Sequence, residues 1–376
     1  MDIGLFMVPF RLPQTDLQDG FEWDMQVIRW AEEFGLSEVW VGEHSTVRWE
    51  PVCSPELYIA AAAVQTERIR LATGANIVAN HNPIALAHRL MQLDHMTKGR
   101  LMVAFGAGSY PTDLQIHGSN NPRERMMEAA RIIQMVWNAD GPAKYEGQFW
   151  TLDIPEYNDL LMGPYLKPYQ QPHPPIAMAG VSPASGTLKQ AGATGSIPMS
   201  FNVSRELLAG HWYRYVEGAE SAGLTPDRNS WRVAHNVLVA DTDEEAMDLA
   251  LNGAMAQTYR EWMLPAYAGS NMLKPMVPEL DNINGPEDIS VEYLAREKWL
   301  VGSPDTIVEK LQRDVEVSGG FGNIIAFTFD YLDKPEAFRR HLELLGTEVL
   351  PRIKDIELKN QPLSELTPPP ELAVTR

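Results

Sequence analysis

The amino-acid sequence predicts an α/β fold, a (β/α)8 TIM barrel with insertions after strands 4 and 7. Eight short apolar runs alternate with helical patterns along the 376 residues, and this barrel contains eight parallel strands. The length fits one large barrel, so a second domain is not required. The alternative is an open doubly wound sheet, which should carry a glycine-rich loop after its first strand. The first strand-to-helix turn has the sequence PFRLP instead.

The first four strands are separated by helices with recognisable ends. Ser54 is a typical N-cap residue, and Pro55 suits the first helical position. Pro83 begins a helix that Gly99 is expected to end. In chain order, the predicted elements of this half are strand 3–8, helix 24–34, strand 38–42, helix 55–64, strand 69–78, helix 83–98 and strand 100–105.

The second half repeats the alternation with longer gaps. Thr242 and Glu245 have capping-box spacing, Ser303 precedes Pro304 at another helix start, and Gly346 is the expected stop of the last helix. The predicted elements are helix 122–137, strand 176–180, a helix from 183, strand 196–201, helix 204–222, strand 231–240, helices from 242 and from 304, strand 323–329 and helix 335–345.

Two stretches interrupt the alternation. One covers about 140–175 and is rich in Pro, Gly and Tyr, and the other covers about 268–300. We interpret both as excursions on the rim of one domain, residues 1–358, because functional loops often extend a barrel. The polar segment 359–376 contains three consecutive prolines and is expected to be a flexible tail or an arm on a neighbouring subunit.

Charge and cysteine content exclude several classes of function. Thirty-one Lys and Arg against 50 Asp and Glu give a net charge of −19, the wrong sign for binding nucleic acid or an anionic membrane surface. Cys53 is the only cysteine, so an intramolecular disulfide and a thiolate metal cluster are excluded. No basic segment precedes the first apolar run, and no apolar window of about 20 residues occurs. A cytoplasmic location is therefore expected.

The active site of such a barrel lies at the carboxyl ends of its strands, so the residues that follow each apolar run are the candidates. His44 directly follows the second strand, where an imidazole can exchange protons near neutral pH. A rim histidine held by Glu43 is the alternative. His81, His88 and His95 recur every seven residues, a spacing unlike that of zinc ligands, and no metal site is predicted.

Small residues follow two further strands. Gly106, Ala107 and Gly108 let the backbone approach a flat or phosphorylated ligand closely, because glycine lacks a Cβ. Ser182 and Ser185 offer hydroxyls and backbone N–H groups at a helix N-terminus, an anion site by geometry and dipole. An ordinary Ser-Pro N-cap is an equally good interpretation of the serines.

A hydrophobic substrate is favoured by large apolar residues near strand ends: Phe6, Met7, Trp49 and Tyr110. A paired-carboxylate hydrolase is an alternative, because Glu43 and Asp330 both follow strands. The apolar character of the other strand ends argues against a sugar site.

Several of these strings together resemble one family. They are Val39–His44 (VWVGEH), Ser54–Ala63 (SPELYIAAAA), Thr66–Leu71 (TERIRL), Leu93–His95 (LDH), Gly106–Gly108 (GAG) and Val301–Asp305 (VGSPD). They occur in the order found in the bacterial luciferase-like flavin-dependent monooxygenases, from about residue 1 to 352. Within that family the chain looks most like the diketocamphane and limonene monooxygenases.

The resemblance implies a two-component enzyme. Such a barrel receives reduced FMN (FMNH2) from a separate flavin reductase, reacts it with O2 to a C4a-peroxyflavin, and inserts one oxygen atom into an organic substrate. A hydrophobic small molecule is implied, oxygenated as a cyclic ketone by Baeyer-Villiger chemistry or as a terpene or alkene by epoxidation. A homodimer is also implied.

Residue roles follow from the resemblance by position. His44 matches the histidine that handles protons near the flavin. Ala75 and Asn76 match the third-strand segment beside the isoalloxazine, where the family often has a non-proline cis peptide. Gly106 to Gly108 match the fourth-strand end beside the flavin. Ser182 and Ser185 match phosphate-binding positions. Luciferase itself has Cys-Arg in place of Gly106-Ala107, so the phosphate is expected to depend on hydroxyls, N–H groups and the helix dipole.

Three other functions remain open on the sequence. A deazaflavin (F420)-dependent oxidoreductase on the same barrel would move hydride and need no oxygen. A non-catalytic flavin-binding partner subunit would keep the fold without the activity, although retention of His44 argues against it. A sugar hydrolase or amidohydrolase barrel would bind metal or act without flavin.

Overall fold

The structure is a computed structural model, and it describes residues 1–182, 184–201 and 204–369. Three predictions touch residues outside these ranges: the helix start at Pro183, the carboxyl end of strand 196–201 at Asn202, and the part of the predicted tail from residue 370 to 376. The bounds of the elements below refer to the described ranges.

The strands are short, as is usual for an α/β barrel. In chain order they are β1 (Asp2–Phe10), β2 (Glu38–Val41), β3 (Arg70–Ile77), β4 (Leu101–Gly106), β5 (Ala143–Glu146), β6 (Thr151–Ile154), β7 (Ile176–Gly180), β8 (Ile197–Phe201), β9 (Arg232–His235), β10 (Val237–Val239), β11 (Leu300–Gly302) and β12 (Asn323–Phe329).

Helices separate the strands. They are α1 (Leu17–Glu33), α2 (Pro55–Ala63), α3 (Pro83–Met96), α4 (Pro111–Ile116), α5 (Pro122–Asn138), α6 (Gly186–Thr194), α7 (Arg205–Ser221), α8 (Asp243–Asn252), α9 (Ala254–Thr258), α10 (Leu264–Gly269), α11 (Leu273–Met276), α12 (Val291–Tyr293), α13 (Pro304–Ser318), α14 (Pro335–Leu344) and α15 (Leu350–Ile353). Single π-helical turns cover Tyr259–Met263, Leu294–Lys298 and Leu345–Val349.

Eight of the strands close into a barrel in the order β1, β12, β9, β8, β7, β4, β3 and β2. The pairs β1–β12, β9–β12, β8–β9, β7–β8 and β3–β4 are parallel. In the first of them the register runs from Asp2 opposite Asn323 to Phe6 opposite Phe327. These strands correspond to the eight predicted apolar runs, and the predicted TIM barrel is confirmed. The near-continuous burial of β1, β4 and β12 fits parallel strands covered on their outer side by helices.

The chain forms two compact units. One comprises Met1–Val39, Arg48–Glu50 and the chain from Ala177 onward, and the other comprises Trp40–Val47 and Pro51–Ile176. In the first unit the Arg228 guanidinium lies 4.5 Å from the ring centre of the buried Trp212. In the second, the buried Trp137 donates its indole N–H to the carbonyl of Ala87, 3.1 Å away. The predicted single domain, 1–358, stays a prediction.

The predicted strand 231–240 is wrong as one element. Its first part is the barrel strand β9, and β10 instead pairs in parallel with β11 in a separate two-stranded sheet. Asn236 separates the two parts, and its side-chain amide donates to the Tyr259 hydroxyl at 2.6 Å. The polar pair His235-Asn236 marks the break in the sequence, but apolar residues lie on both sides of it, and the prediction joined them into one strand.

Two predicted helix bounds are also wrong. Helix α1 begins seven residues before Asp24, at Leu17, because the Asp16 carboxylate caps it by accepting from the Gln18 N–H at 2.8 Å. The last helix does not stop at Gly346, since a π-helical turn and α15 carry it to Ile353. Gly346 is needed there for another reason: a Cβ would overlap the backbone carbonyl of Phe34.

The two predicted excursions contain regular structure. Residues 140–175 include the antiparallel hairpin β5–β6, whose turn is held by the Glu128 carboxylate through the N–H groups of residues 148–150. The other excursion includes α11 and α12, and β11 begins where it ends. At the predicted tail, the Lys359 N–H donates to the Gly319 carbonyl at 3.0 Å. The flexibility of this segment stays a prediction. No helix among the described residues is long and apolar enough to span a membrane.

Candidate functional site

His44 lies just beyond the carboxyl end of β2 and pairs with a buried carboxylate. Its Nδ1 is 3.2 Å from Oδ2 of Asp113, a residue in α4 whose side chain is 4% exposed. The other oxygen of Asp113 accepts from the backbone N–H groups of Ser45 and Thr46, at 3.1 and 2.8 Å, and from the Thr46 hydroxyl. The Tyr110 ring meets the imidazole edge to face, with 4.8 Å between ring centres.

These contacts determine the charge of Asp113 and the orientation of the imidazole. Burial raises the pKa of the Asp113 carboxyl, but the hydrogen bonds from His44 and Thr46 outweigh burial and hold the pKa below its ordinary value. An ionised Asp113 carboxylate can only accept, so it accepts a hydrogen bond from the Nδ1–H group of His44. The neutral imidazole therefore carries its proton on Nδ1 and its lone pair on Nε2. His44 is therefore oriented by Asp113, and the interpretation in which Glu43 holds it is wrong.

The end of β3 carries Ala75 and Asn76. The peptide between Gly74 and Ala75 is cis, as the resemblance led us to expect. The Asn76 side chain is fully buried, and its Nδ2 donates to Oε2 of Glu43 at 3.3 Å. Its Oδ1 has no hydrogen-bond partner within the described parts of the chain. A buried amide oxygen without a partner is costly, so this atom is suited to accept from a ligand.

The neighbouring end of β4 is shaped by glycine. Ile77 lies opposite Gly106 in the β3–β4 pairing. A Cβ on Gly106 would lie 3.2 Å from the Cβ of Ala75, tighter than most real contacts. Gly108 has a φ of +92°, which other residues rarely adopt. The structure therefore brings five of the predicted cofactor residues to the ends of two adjacent strands: Ala75, Asn76, Gly106, Ala107 and Gly108.

The predicted phosphate serines differ from one another. Ser185 is buried and caps α6, with its Oγ accepting from the Leu188 N–H at 3.2 Å. The N-cap of α6 is therefore Ser185, and not a serine followed by proline as the Ser-Pro interpretation had it. Ser182 is exposed, and its carbonyl accepts from Nε2 of the buried His211 at 3.0 Å. Burial lowers the pKa of His211 to about 4, so this histidine is neutral near pH 7.

Three phenylalanines meet inside the barrel. The Phe6 ring centre is 5.2 Å from that of Phe201 and 5.3 Å from that of Phe327. Because β12 and β9 separate β1 from β8 in the barrel, the contact between Phe6 and Phe201 crosses the interior. Phe6 is buried, whereas Phe201 and Phe327 are half-buried. Neither ring was predicted as part of the substrate pocket, although Phe201 is the last residue of the predicted strand 196–201.

Comparison with known proteins identifies the family. The model of the luciferase-like monooxygenases matches residues 1–320. The chain is 32% identical to a 2,5-diketocamphane 1,2-monooxygenase of Pseudomonas putida over 94% of this chain and 99% of the relative. It is 28% identical to limonene 1,2-monooxygenase of Rhodococcus erythropolis, over 93% and 86%. The chain belongs to the luciferase-like monooxygenases.

A solved structure agrees with this assignment. The oxygenating constituent of 3,6-diketocamphane monooxygenase from Pseudomonas putida, a type II Baeyer-Villiger enzyme solved with FMN, superposes with a TM-score of 0.89. The two proteins share 31% identity over 96% of this chain and 100% of the other. This luciferase-like chain is thus an enzyme of the monooxygenase class, as the resemblance implied.

The remaining predicted residues of this luciferase-like monooxygenase have less defined roles. Met7 is fully buried in β1. Trp49 is half-buried, and its carbonyl accepts from the Arg11 N–H at 2.7 Å. Their contact with a substrate stays a prediction.

The three regularly spaced histidines have separate partners. His81 contacts Glu43, His88 contacts the Ile84 carbonyl, and His95 contacts the Lys167 carbonyl. Within the described ranges, no three His, Cys, Asp or Glu side chains are grouped so that they could hold a metal ion. His88 and His95 lie in α3, whereas His81 precedes that helix.

Proposed function

We propose that this chain is the oxygenating component of a two-component monooxygenase that uses reduced FMN and O2 to oxygenate a hydrophobic small molecule. The observation that carries the proposal is the likeness, over almost the whole of both chains, to an oxygenating constituent solved with FMN. A cyclic ketone converted to a lactone and an alkene converted to an epoxide are the two substrate classes.

The residues fit FMN. The isoalloxazine carries N–H donors, and the buried Oδ1 of Asn76 is an acceptor in need of one. Gly106 and Gly108 carry no side chain, so the backbone of this strand end can approach a flat ring closely. For the phosphate, the N-terminus of α6 supplies N–H groups and the positive end of a helix dipole, next to the exposed Ser182. Ala75 and Ala107 add small side chains to the ring site.

When bound in its reduced form, FMN supplies the reaction with O2 that the resemblance implies. His44 is the proposed catalytic residue, because the lone pair on Nε2 can take and return a proton. Asp113 stabilises the imidazolium that forms, since its carboxylate faces Nδ1 at 3.2 Å. Tyr110 limits the rotation of the imidazole by packing against it.

The substrate is proposed to lie against aromatic side chains. The half-buried rings of Phe201 and Phe327 offer apolar surface inside the barrel. Phe6 packs edge to face against both rings. An apolar lining excludes water from reduced flavin and favours a terpene-like or alicyclic substrate over a sugar or an ionic one.

A flavin reductase is the proposed partner, by diffusion of reduced FMN or by transient contact. A homodimer is also proposed, and Leu57 and Val64 at the ends of α2 are large apolar residues exposed by 71% and 81% that such a contact could cover. A cytoplasmic location is proposed from the single cysteine.

The proposal is tested by isotope labelling. The purified chain, a flavin reductase, NADH and FMN are incubated under labelled oxygen with a panel of cyclic ketones and terpenes. The expected result is one labelled oxygen atom per product molecule and no product when FMN or the chain is omitted. Oxidation without the label, or turnover that requires F420 instead, would replace this function by the dehydrogenase alternative. The absence of any turnover by the isolated chain would favour the non-catalytic subunit.

A further inference from the structure

We propose that Glu43 is a positioning residue that orients the Asn76 side chain so that Oδ1 accepts a hydrogen bond from a ring N–H of FMN. The inference rests on the proposed function, and it adds a residue that does not itself touch the cofactor. Glu43 stands next to His44 in the sequence, but the two side chains have different partners, and so the roles of the two residues can be separated by experiment.

Both carboxylate oxygens of Glu43 act as acceptors in a buried place. Oε2 accepts from the Ile77 backbone N–H at 3.2 Å and from Nδ2 of Asn76 at 3.3 Å. Oε1 lies 2.8 Å from Nε2 of His81. The side chain is 2% exposed, so water contributes little to its hydrogen bonding. The carboxylate therefore faces donors on both sides.

The tautomer of the neutral His81 imidazole is set by Arg89, which lies on the side away from Glu43. An Arg89 guanidinium N–H lies 3.3 Å from Nδ1 of His81, and because arginine only donates, Nδ1 must be the acceptor. The proton of the imidazole is then on Nε2, where it is donated to Glu43. Arg89 is itself held by Oε1 of Glu56, at 3.1 and 3.2 Å from two of its nitrogens.

This chain of contacts decides which way the Asn76 amide faces. An amide oxygen turned toward the Glu43 carboxylate would place two acceptors together, so the NH2 group must face Glu43. The oxygen is then left without a partner among the described residues, although the side chain is fully buried. Glu43 thus keeps a buried acceptor available to the cofactor, at the end of the same strand that carries Ala75.

Glutamine cannot take over this role. In Glu43→Gln the new amide has one acceptor oxygen and one donor nitrogen, whereas the site offers donors to both positions. The NH2 group of the new glutamine would therefore face either the Nε2–H of His81 or the N–H donors of Asn76 and Ile77, and two donors would meet. The Asn76 amide would then be free to turn, and its Oδ1 could be satisfied within the protein.

A double-mutant cycle tests the inference, with the dissociation constant of FMN as the readout, measured by fluorescence quenching for oxidised FMN and by anaerobic titration for reduced FMN. Glu43→Gln and Asn76→Ala are each expected to weaken binding about 10- to 100-fold. The double variant is expected to bind no more weakly than the weaker of the two single variants, because Glu43 acts through Asn76.

Glu38→Gln is the matched control, since Glu38 is an equally buried glutamate at the other end of β2, paired with Arg232. It is expected to lower the melting temperature, to leave the FMN dissociation constant unchanged, and to show no coupling with Asn76→Ala. If Glu43→Gln fails to fold, His81→Ala removes the donor to Oε1 from a partly exposed position. His81→Ala is then expected to weaken FMN binding about 3- to 10-fold, and to have no effect on FMN binding when Asn76 is already alanine.

Two outcomes would overturn the role of Glu43 and leave the proposed function standing. The first is that the losses of FMN affinity multiply in the Glu43/Asn76 double variant. The second is that Asn76→Ala weakens FMN binding while Glu43→Gln and His81→Ala bind FMN as tightly as the unmodified chain. Failure of the unmodified chain to bind FMN in either redox state would overturn the proposed function together with this inference.

Discussion

Glu38 and Glu43 are two buried carboxylates at opposite ends of one short strand, and their surroundings differ. Glu38 pairs with an opposite charge, through two contacts of 3.1 and 3.0 Å with the Arg232 guanidinium. Glu43 accepts from a backbone N–H, an amide and an imidazole instead. At the amino end the charge is neutralised within the framework. At the carboxyl end the carboxylate organises donors and leaves Oδ1 of Asn76 unsatisfied.

The difference indicates a division of labour in the barrel. Charged side chains that pair with each other within the protein contribute to the free energy of unfolding. Polar groups that follow the carboxyl ends of the strands contribute to ligand binding and proton transfer. If this is correct, substitutions at the two ends should separate stability from activity. The predictions below test that separation.

The largest effect is expected for His44→Ala. Loss of the imidazole removes proton transfer, which contributes about 10²- to 10⁴-fold in rate, so product formation should fall by that order. Hydrogen peroxide formed per reduced FMN consumed should rise, while the melting temperature stays near that of the unmodified chain. The measurement is the ratio of product to peroxide. His88→Ala, which alters an exposed helical histidine bonded to the Ile84 carbonyl, is the control. Unchanged coupled turnover in His44→Ala would remove the catalytic assignment.

Glu38→Ala should give the opposite pattern. The substitution leaves the Arg232 guanidinium, whose side chain is 14% exposed, without the Glu38 carboxylate. Removing one member of a buried ion pair costs about 3–5 kcal/mol. The free energy of unfolding should fall by that amount in denaturant titrations, and the product-to-peroxide ratio of the folded protein should not change. A changed ratio with unchanged stability would contradict the division between the two ends.

The buried histidines of the framework should make stability depend on pH. Burial lowers the pKa of His341 to about 3, and its Nδ1 accepts from the Val239 N–H at 3.0 Å. Below the unfolded pKa, near 6.5, the unfolded chain gains a proton that the folded chain refuses, so stability falls as pH falls. At pH 5 this histidine should cost about 2 kcal/mol relative to pH 7.

His341→Asn provides the test of that slope. The difference in unfolding free energy between pH 7 and pH 5 should shrink by about 2 kcal/mol, whatever the absolute stability of the variant. His211→Asn, in which the pKa of the replaced group is about 4, should act in the same direction. An unchanged slope in His341→Asn would show that this group is not neutral and buried in solution.

The smallest effect is expected for Ser182→Ala. Its hydroxyl is proposed to contribute one hydrogen bond to the FMN phosphate, beside the N–H groups of α6, so binding should weaken about 3- to 10-fold. Product per reduced FMN consumed should be unchanged at saturating FMN. Thr194→Ala, in the last turn of the same helix, is the control. Equal affinity in both variants would place the phosphate elsewhere.

Much of the fold could be predicted because the barrel strands are apolar and bounded by proline, glycine and capping residues. The Ser54–Pro55 and Pro83 helix starts were correct for this reason. The break at Asn236 could not be predicted, since it depends on pairing between β10 and a strand more than 60 residues later. The helix that continues past Gly346 was missed because contact with Phe34, distant in sequence, explains that glycine.

The site was predictable in part. The position of His44 followed from counting strands, but its partner Asp113 lies in α4, a helix absent from the sequence prediction. The roles of Glu43 and of the Phe201 and Phe327 rings depend on which strands are neighbours in the barrel. Asp330 appeared to be a candidate acid, yet it accepts from Arg11 at 3.2 Å and from the Leu12 N–H at 3.0 Å. Spacing along the chain carries no information on such pairings.

The most direct test of the account is an anaerobic titration of the purified chain with reduced FMN and, separately, with reduced F420, followed by rapid mixing with oxygenated buffer. The account predicts saturable binding of reduced FMN and a transient near-ultraviolet absorption band that precedes the spectrum of oxidised flavin. In His44→Ala the band should decay faster. Preferential binding of reduced F420, with no transient that depends on oxygen, would contradict the assignment of this chain as an FMN-dependent oxygenating component.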